Sequence, residues 1–303
     1  MLDLLIIGAG VAGMSASIYA ARRKLNFRII SKDIGGQTAK SSDVENYLGV
    51  RGSGAELTAK FMGHLGDLGV SIEANKVVSK VFKTDDTFHV ELMDGEKIES
   101  KTVILAAGKI PRHLGVPGEE ELYGKGVTYC ATCDAPLFKG KTVAVIGGGN
   151  SALDAAINLS AYAEKIYILS DEPKFRGEQV MIDKVSADPK IEAIFNTQTT
   201  KILGTNFVEG LEYLDKISNE KKSISLQGIF VEIGWMTDSS FIDSSLVDLD
   251  EWKQIKIDLV CKTKTPGLFA AGDFSAVPFK QSIIAAGEGA KAALAAIDYL
   301  TAK

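Results

Sequence analysis

The chain repeats one pattern: a short apolar run, a glycine-rich turn and then an Ala-rich segment of helical character. The first copy runs from Leu4–Ile7 into Gly8-x-Gly10-x-x-Gly13. The second runs from Thr142–Ile146 into Gly147-x-Gly149-x-x-Ala152. In each copy the pattern predicts a buried parallel strand, a tight turn, a helix and a further strand. The repeat therefore predicts an α/β, three-layer fold with two Rossmann-like, nucleotide-binding domains.

Each glycine of the first motif meets a different requirement of dinucleotide binding. Gly8 permits a tight turn, Gly10 lets the backbone approach a pyrophosphate, and Gly13 lets the helix pack on the strand. The N–H groups at the start of the helix then face the phosphates. A glycine turn without a ligand remains the alternative for this motif, and a domain that keeps the fold without the ligand is the alternative for the second. Asp33 is the candidate for a ribose hydroxyl.

The segment after the second strand of the second copy bears on which nicotinamide cofactor is used. It reads Ser170-Asp171-Glu172, and its carboxylates repel a 2′-phosphate but can bind a free 2′-hydroxyl. NADH is therefore favoured. Lys174 and Arg176 follow closely, so NADPH remains open.

Cys130 and Cys133 are separated by two residues and predict a redox-active pair. One thiol can attack a partner disulfide and the other can resolve the mixed disulfide. The adjacent Asp134 could move protons on and off a departing thiol. A structural zinc site would need four ligands, and Cys261 and the three His show no ligand spacing, so no metal is expected. Two inert buried cysteines are the other alternative, and Cys261 is expected to be a small core residue of a strand.

Composition excludes several classes of function. The net charge is −5 and no basic run occurs, which argues against nucleic-acid binding. No apolar stretch reaches ~18 residues, so no membrane span is expected. Three cysteines in 303 residues do not form a secreted disulfide framework. The N-terminus lacks a charged leader and a cleavage site, and a reducing cytoplasm is the expected location.

Several further motifs, taken together, resemble those of a known family. The chain resembles low-molecular-weight thioredoxin reductases along almost its whole length. It resembles still more closely the reductase part of the flavoprotein subunit of alkyl hydroperoxide reductase. The matching segments are residues 7–13, 35–37, 45–47, 127–134, 136–140, 145–151, 269–273 and 280–281.

The resemblance implies a domain arrangement and roles for the cysteines. A discontinuous FAD domain, residues 1–114 and 247–303, encloses an NAD(P)H domain, residues 115–246, that carries the dithiol. Cys133 is the thiol nearest the flavin, Cys130 attacks the partner disulfide, and Asp134 is the acid/base. Short linkers at 113–118 and 244–248 fit hinges for domain rotation. The family is homodimeric.

The resemblance also implies which residues bind the cofactors. Asp273, at the end of an apolar run, is suited to bond a ribityl hydroxyl, and the helix from Ser282 points its N-terminus at the flavin. The residues implied to line the FAD are Gly8, Gly10, Ala12, Gly13, Gly36, Gln37, Asn46, Ala107, Gly108, Gly272, Asp273, Lys280, Gln281 and Ser282. Those implied to face the nicotinamide cofactor are Gly149, Asn150, Ser151, Ala152 and Asp171.

The implied activity is electron transfer from NAD(P)H through FAD and the cysteine pair to a protein disulfide. The acceptor would be thioredoxin-like, glutaredoxin-like or peroxiredoxin-linked. Ser170–Glu172 replaces the His-Arg-Arg cluster of thioredoxin reductases, which puts NADPH in question. The peroxide-reductase relatives carry an extra N-terminal dithiol domain, and because this sequence starts at its FAD motif the acceptor is expected to be a separate protein. The alternatives are a ferredoxin- or other-donor-dependent reductase, a peroxide-forming NADH oxidase and a non-catalytic metal-binding protein.

Overall fold

The structure, a computed structural model, describes residues 1–41 and 44–302. The chain divides into two compact units: unit 1 contains residues 1–110 and continues from residue 236, and unit 2 contains residues 111–235. The domain limits predicted from the sequence, 114/115 and 246/247, lie further along the chain. The second boundary comes earlier because Ile242 and Leu246 are buried in the core of unit 1, and Phe241 O accepts a 2.7 Å hydrogen bond from Val81 N.

The first 110 residues begin with the predicted strand–turn–helix–strand. Their strands are β1 (Leu2–Ala9), β2 (Phe27–Ile34), β3 (Val44–Tyr47), β4 (Val50–Gly52), β5 (Ile72–Glu73), β6 (Val78–Thr84), β7 (Thr87–Leu92) and β8 (Lys97–Leu105). Their helices are α1 (Val11–Arg22), α2 (Gly36–Ala39) and α3 (Gly54–Asp67). The sequence Met93-Asp94-Gly95-Glu96 predicts a hairpin turn from its Asp-Gly pair, and the prediction is confirmed because these residues join the antiparallel pair β7 and β8.

The second unit repeats the design and adds an antiparallel sheet. Short strands β9 (Ile110–Pro111) and β18 (Trp235–Met236) lie at its two boundaries. Its other strands are β10 (Val127–Thr128), β11 (Thr142–Ile146), β12 (Lys165–Leu169), β13 (Ile191–Ile194), β14 (Thr197–Gly204), β15 (Val208–Asp215), β16 (Glu220–Ser225) and β17 (Gly228–Val231). Its helices are α4 (Ala131–Asp134), which leads into a 3₁₀ turn (Ala135–Phe138), α5 (Asn150–Ser160) and α6 (Gln179–Ala187).

The chain then returns to unit 1 with β19 (Leu268–Ala270), a 3₁₀ turn (Gly272–Phe274) and the long helix α7 (Ser282–Thr301). Within the described residues, the main sheet of this unit has the order β5-β2-β1-β8-β7-β6, with β19 paired in parallel to β8. Strands β5, β2, β1, β8 and β19 are parallel neighbours, and β6–β7–β8 form an antiparallel meander.

The apolar run of β1 is explained by burial on both faces of the sheet. Leu5 and Ile7 pack into one core, whereas Leu4 and Ile6 pack into the other, beneath α1 and α7. A strand covered on both sides reads as continuously apolar rather than alternating.

In unit 2 the parallel sheet has the order β10-β17-β11-β12-β13, and β14–β15–β16 are antiparallel. Its central strand β11 is likewise buried on both faces, with Val143 and Val145 in one core and Ala144 and Ile146 in the other. Among the described residues, no helix has the length and apolar character needed to cross a bilayer. Both glycine turns follow central parallel strands, where open α/β sheets bind their ligands.

Candidate functional site

The first glycine turn is tight where a side chain is excluded and open where a ligand would approach. Gly8 has φ +109°, and a Cβ there would lie 2.2 Å from Ala106 O. A Cβ on Gly13 would lie 1.8 Å from Gly8 O, so only glycine at this position lets the first turn of α1 pack this closely against the glycine turn. Around Gly10, by contrast, a Cβ would meet no atom within 4 Å. The turn therefore leaves space beside the backbone for a phosphate-bearing ligand.

A second loop lies against this turn. Gly36 has φ +55°, and its Cβ would be 3.6 Å from Gly10 Cα. Gln37 Nε2 donates to Lys109 O at 3.3 Å, which ties this loop to the segment after β8. In that segment Ala107 packs against the core, and Gly108 has φ +69° with open space at its Cβ position.

Residues from the far end of the sequence complete the same region of unit 1. Asn46 Nδ2 donates to Gln281 Oε1 at 3.0 Å, and the hydroxyls of Thr38 and Ser282 are 2.9 Å apart. Lys280 Nζ donates to the backbone oxygen of Ser275, and partial burial lowers the pKa of that lysine. The structure therefore places Asn46 against Gln281 and Thr38 against Ser282, so that the segment at 280–282 lies beside residues from the start of the chain.

The Gly272–Asp273 turn is supported by a carboxylate that sequence reasoning missed. Glu288 is 3% exposed, and its Oε2 accepts from Gly272 N at 2.8 Å and from Ser275 Oγ at 3.1 Å. Its Oε1 is buried and has no hydrogen-bond partner among the described residues. No local pattern signals this role, because a single Glu in an Ala-rich helix reads as a solvated position.

Gly272 also lies close to the glycine turn: its φ is +69°, and a Cβ would be 3.0 Å from the Ala12 Cβ. Asp273 follows, partly exposed. Buried polar atoms almost always find a partner, and a ligand hydroxyl is one group that could satisfy Glu288 Oε1. The open space at Gly10 together with this unpartnered oxygen fits unit 1 to FAD.

The second glycine turn has the same construction. Gly147 has φ +141°, and a Cβ there would lie 2.2 Å from Glu232 O and 3.2 Å from the Ala152 Cβ. Gly149 has open space at its Cβ position. Asn150 and Ser151 are exposed at the start of α5, whereas Ala152 is fully buried. This turn fits a second dinucleotide, although Asn150 Oδ1 already accepts from Glu178 N at 2.7 Å.

The segment after β12 contains an ion pair that bears on cofactor choice. Asp171 is exposed, and its backbone oxygen accepts from Lys216 Nζ at 3.0 Å. Arg176 Nη2 lies 2.7 Å from Glu172 Oε1, and Arg176 N donates to Gly148 O at 2.8 Å. The guanidinium that follows this turn in sequence is thus already paired with a carboxylate.

The predicted cysteine pair is present as a disulfide in unit 2. Cys130 and Cys133 are bonded, with their Cα atoms 5.4 Å apart. Cys130 is half-buried and Cys133 is exposed. Cys133 N donates to Cys130 Sγ at 3.3 Å, so Cys130 caps the N-terminus of the short helix α4. The two sulfurs are therefore brought together within one turn of chain.

Asp134 is held close to the disulfide by Thr128. The Thr128 hydroxyl donates to Asp134 Oδ2, and Cys130 N donates to Thr128 Oγ1 at 3.2 Å. The Thr128 hydroxyl therefore links the Asp134 carboxylate to the backbone N–H of Cys130. Thr128 was not among the residues singled out from the sequence.

A buried glutamate orders the residue before the disulfide. Glu119 is 1% exposed and accepts from Leu114 N at 2.8 Å and Gly115 N at 2.7 Å. It also accepts from the Tyr129 hydroxyl at 2.8 Å, and that hydroxyl lies 2.7 Å from His113 Nδ1. Burial, followed by the hydrogen bond to Glu119, raises the pKa of Tyr129 well above its usual value. The predicted linker at 113–118 is therefore bonded to the residue that precedes Cys130.

Cys261 is buried as expected, but the prediction that it belongs to a strand is wrong. It lies in a bend with φ +67°, where Cys261 N donates to Asp258 O at 3.1 Å. Burial raises the pKa of this thiol to about 12. In the part of the chain that is described, no group of three or more His, Cys, Asp or Glu side chains is arranged around a common point for a metal ion.

Comparison with known proteins agrees with this geometry. The family model described as pyridine nucleotide-disulphide oxidoreductase matches residues 2–294. An alkyl hydroperoxide reductase subunit of Escherichia coli is 40% identical over 303 residues, covering 98% of this chain and 58% of the relative. NADH dehydrogenase of Bacillus subtilis is 38% identical over 299 residues, with 98% and 58% covered. The chain thus spans somewhat over half the length of these curated relatives.

Solved structures support the same fold. The crystal structure of Lactococcus lactis thioredoxin reductase superimposes with a TM-score of 0.91 at 31% identity, covering 100% of both chains. The two Rossmann-like units, one inserted in the other, match this two-domain arrangement. Pyridine nucleotide-disulphide oxidoreductases of the thioredoxin reductase type use FAD and a nicotinamide cofactor. The chain belongs to the pyridine nucleotide-disulphide oxidoreductase family.

Proposed function

We propose that the chain is a flavin-dependent protein-disulfide reductase that uses NADH in preference to NADPH. Electrons would pass from the nicotinamide cofactor through FAD to Cys130–Cys133 and then to a disulfide on a partner protein. The observation that carries the proposal is the Cys130–Cys133 disulfide, which lies in the same unit as a glycine turn with open space at Gly149. The fit of unit 1 to FAD supports it, and the matched relatives are themselves a component of a peroxide reductase and an NADH dehydrogenase.

In this proposal the protein's own residues bind and orient the cofactors and move protons. FAD, when bound, would supply the redox chemistry, because a flavin can accept a hydride and pass electrons to sulfur. The turns at Gly10 and Gly149 would hold the two dinucleotides through backbone N–H groups. Reduction breaks the S–S bond, and two electrons with two protons convert both sulfurs to thiols. Asp134, fixed by Thr128, is the proposed proton carrier to the sulfurs.

The second half of the proposed cycle uses the thiols. A thiolate of the pair attacks the partner disulfide, and the remaining thiol of the pair then displaces the reduced partner. The net change is oxidation of one NADH and reduction of one partner disulfide to two thiols, with one proton taken from water. The partner is proposed to be a thioredoxin-like, glutaredoxin-like or peroxiredoxin-linked dithiol protein. The proposal includes a homodimer, which the resemblance implies, and a cytoplasmic location, which the sequence leads us to expect. Light scattering and cell fractionation test these two points.

Steady-state reduction of a panel of oxidised dithiol proteins, with NADH and NADPH in parallel, tests the proposed function. We expect turnover of at least one thioredoxin- or glutaredoxin-like partner, with higher kcat/KM for NADH. Failure of both nucleotides to reduce any partner, while ferredoxin or another donor succeeds, would refute the nicotinamide step. Hydrogen peroxide release that accounts for all NADH consumed would instead identify an oxidase.

The cofactor preference gives a sharper prediction. Glu172→Gln removes the carboxylate that pairs with Arg176, leaving a guanidinium free to meet a 2′-phosphate. We expect the NADPH-to-NADH ratio of kcat/KM to rise by about tenfold, the effect of one charge-assisted contact. Glu164→Gln, an exposed site on the same unit, is the matched control and should leave the ratio unchanged. An unchanged ratio in Glu172→Gln would mean that this pair does not govern cofactor choice.

A further inference from the structure

Glu119 is the buried member of a run of three glutamates, Glu119–Glu121. It is 1% exposed, whereas the two that follow it are exposed. The backbone before it is fixed to β14, because Ile202 N donates to Pro117 O at 2.9 Å and a Cβ on Gly118 would lie 2.2 Å from Ile202 O. The side chain therefore starts from a fixed position, and a carboxyl group buried there is costly unless donors surround it.

Three donors from the described residues meet this carboxyl group. Leu114 N donates to Oε1 at 2.8 Å, and Gly115 N donates to Oε2 at 2.7 Å. The hydroxyl of Tyr129 donates to Oε1 at 2.8 Å. Because that hydroxyl has only one proton, the imidazole is the donor in the 2.7 Å contact between its oxygen and His113 Nδ1. These hydrogen bonds hold the Tyr129 ring at its outer end.

Tyr129 directly precedes Cys130 in the chain. The residue before it, Thr128, is 6% exposed, accepts from Cys130 N at 3.2 Å and donates to Asp134. The Tyr129 ring also packs against the ring of Tyr123, with the two centroids 5.6 Å apart. The backbone that enters Cys130 is therefore restrained by side-chain bonds that involve neither sulfur.

We propose that Glu119 is a positioning residue that acts through the Tyr129 hydroxyl to hold Cys130 where its sulfur can re-form the disulfide. The inference rests on the proposed function, in which the cysteine pair opens and closes during turnover. Once the S–S bond is broken, the covalent link between the two sulfurs is lost and noncovalent contacts must keep them close. Restraining one sulfur raises its effective concentration at the other, which favours the disulfide over the dithiol.

The test measures the equilibrium of the cysteine pair with dithiothreitol. Reduction passes two electrons and two protons from dithiothreitol to the pair, which gives two protein thiols and one cyclic disulfide of the reagent. The full chain is equilibrated without oxygen in mixtures of reduced and oxidised dithiothreitol and is then trapped with N-ethylmaleimide. Peptide mass spectrometry gives the ratio of dithiol to disulfide at Cys130 and Cys133. Neither a nucleotide nor a partner protein is needed.

Tyr129→Phe removes the hydroxyl that Glu119 holds and keeps the ring. We expect the ratio of dithiol to disulfide, at a fixed dithiothreitol mixture, to rise by about fivefold, somewhat less than the cost of ordering one residue of backbone. A contribution to overall stability alone would leave this ratio unchanged, because it would affect the oxidised and reduced forms equally. Tyr123→Phe is the matched control: it removes a hydroxyl from the neighbouring ring but keeps the bonds to Glu119, and its ratio should match wild type.

Glu119→Gln, alone and combined with Tyr129→Phe, tests whether the carboxylate acts through the tyrosine. Alone it should raise the ratio at least as much as Tyr129→Phe does, and in the double variant the Tyr129 change should add nothing further. Equal ratios in wild type and Tyr129→Phe would overturn the proposal whether or not Glu119→Gln folds, and additive shifts in the double variant would overturn it as well. If excess reduced dithiothreitol left the disulfide of the wild-type protein intact, the proposed function itself would fail, which is a different outcome.

Discussion

Cys133→Ser is expected to abolish reduction of partner disulfides while NADH still bleaches the bound flavin. With one sulfur removed, the pair can neither accept two electrons as a broken S–S bond nor resolve a mixed disulfide. The loss of turnover should reach at least about a thousandfold, as for other residues that act as a unit. Stopped-flow absorbance of the flavin under anaerobic conditions and a steady-state partner assay measure the two steps separately.

The control for this variant is Thr132→Ser, which changes one of the two residues between the cysteines but keeps both sulfurs. It should retain most of the partner turnover and the same flavin content. Near-normal partner reduction by Cys133→Ser would remove the pair from the mechanism. Loss of flavin bleaching in the same variant would show that the substitution disturbs more than sulfur chemistry.

Gly10→Asp is expected to remove FAD from the protein without unfolding it. The Gly10 Cβ position is free of atoms within 4 Å, so the first atom of an added side chain meets no protein group. Its carboxylate would instead occupy the space proposed for the pyrophosphate and repel it. We expect bound flavin per chain to fall by at least about tenfold, measured by absorbance after gel filtration, with an unchanged far-ultraviolet circular dichroism spectrum.

Gly63→Asp is the matched control for that experiment. Gly63 is an exposed residue of α3, and a Cβ there also meets nothing within 4 Å. The control should keep its flavin. If Gly10→Asp kept a full complement of FAD, the first glycine turn could not be the pyrophosphate site, and the assignment of unit 1 would be wrong.

Local patterns in the sequence were sufficient to predict both strand–turn–helix units, the hairpin at Met93–Glu96 and the disulfide. These features depend on neighbouring residues: a glycine with positive φ, alternating burial on a strand, or two sulfurs within one turn of chain. The helix α7 was predicted for the same reason, since its apolar spacing and Ala content are local properties.

The remaining features depend on contacts between residues that are distant along the chain. Residues 236–246 join unit 1 because Ile242 and Leu246 complete its core, which no linker composition indicates. The role suggested for Glu288 comes from a backbone donor at Gly272, sixteen positions earlier in the chain and on another element. Cys261 was misassigned to a strand because its apolar neighbours, Leu259 and Val260, are exposed in a turn rather than paired in a sheet.

The most direct test of the account is the thiol content of the flavin-loaded protein before and after anaerobic addition of NADH. If electrons reach the Cys130–Cys133 disulfide, the protein should gain two titratable thiols per chain, and the gain should be absent in Cys133→Ser. A thiol content that stays constant while NADH is consumed would contradict the account, because electrons would then leave the flavin by a route that does not include the disulfide.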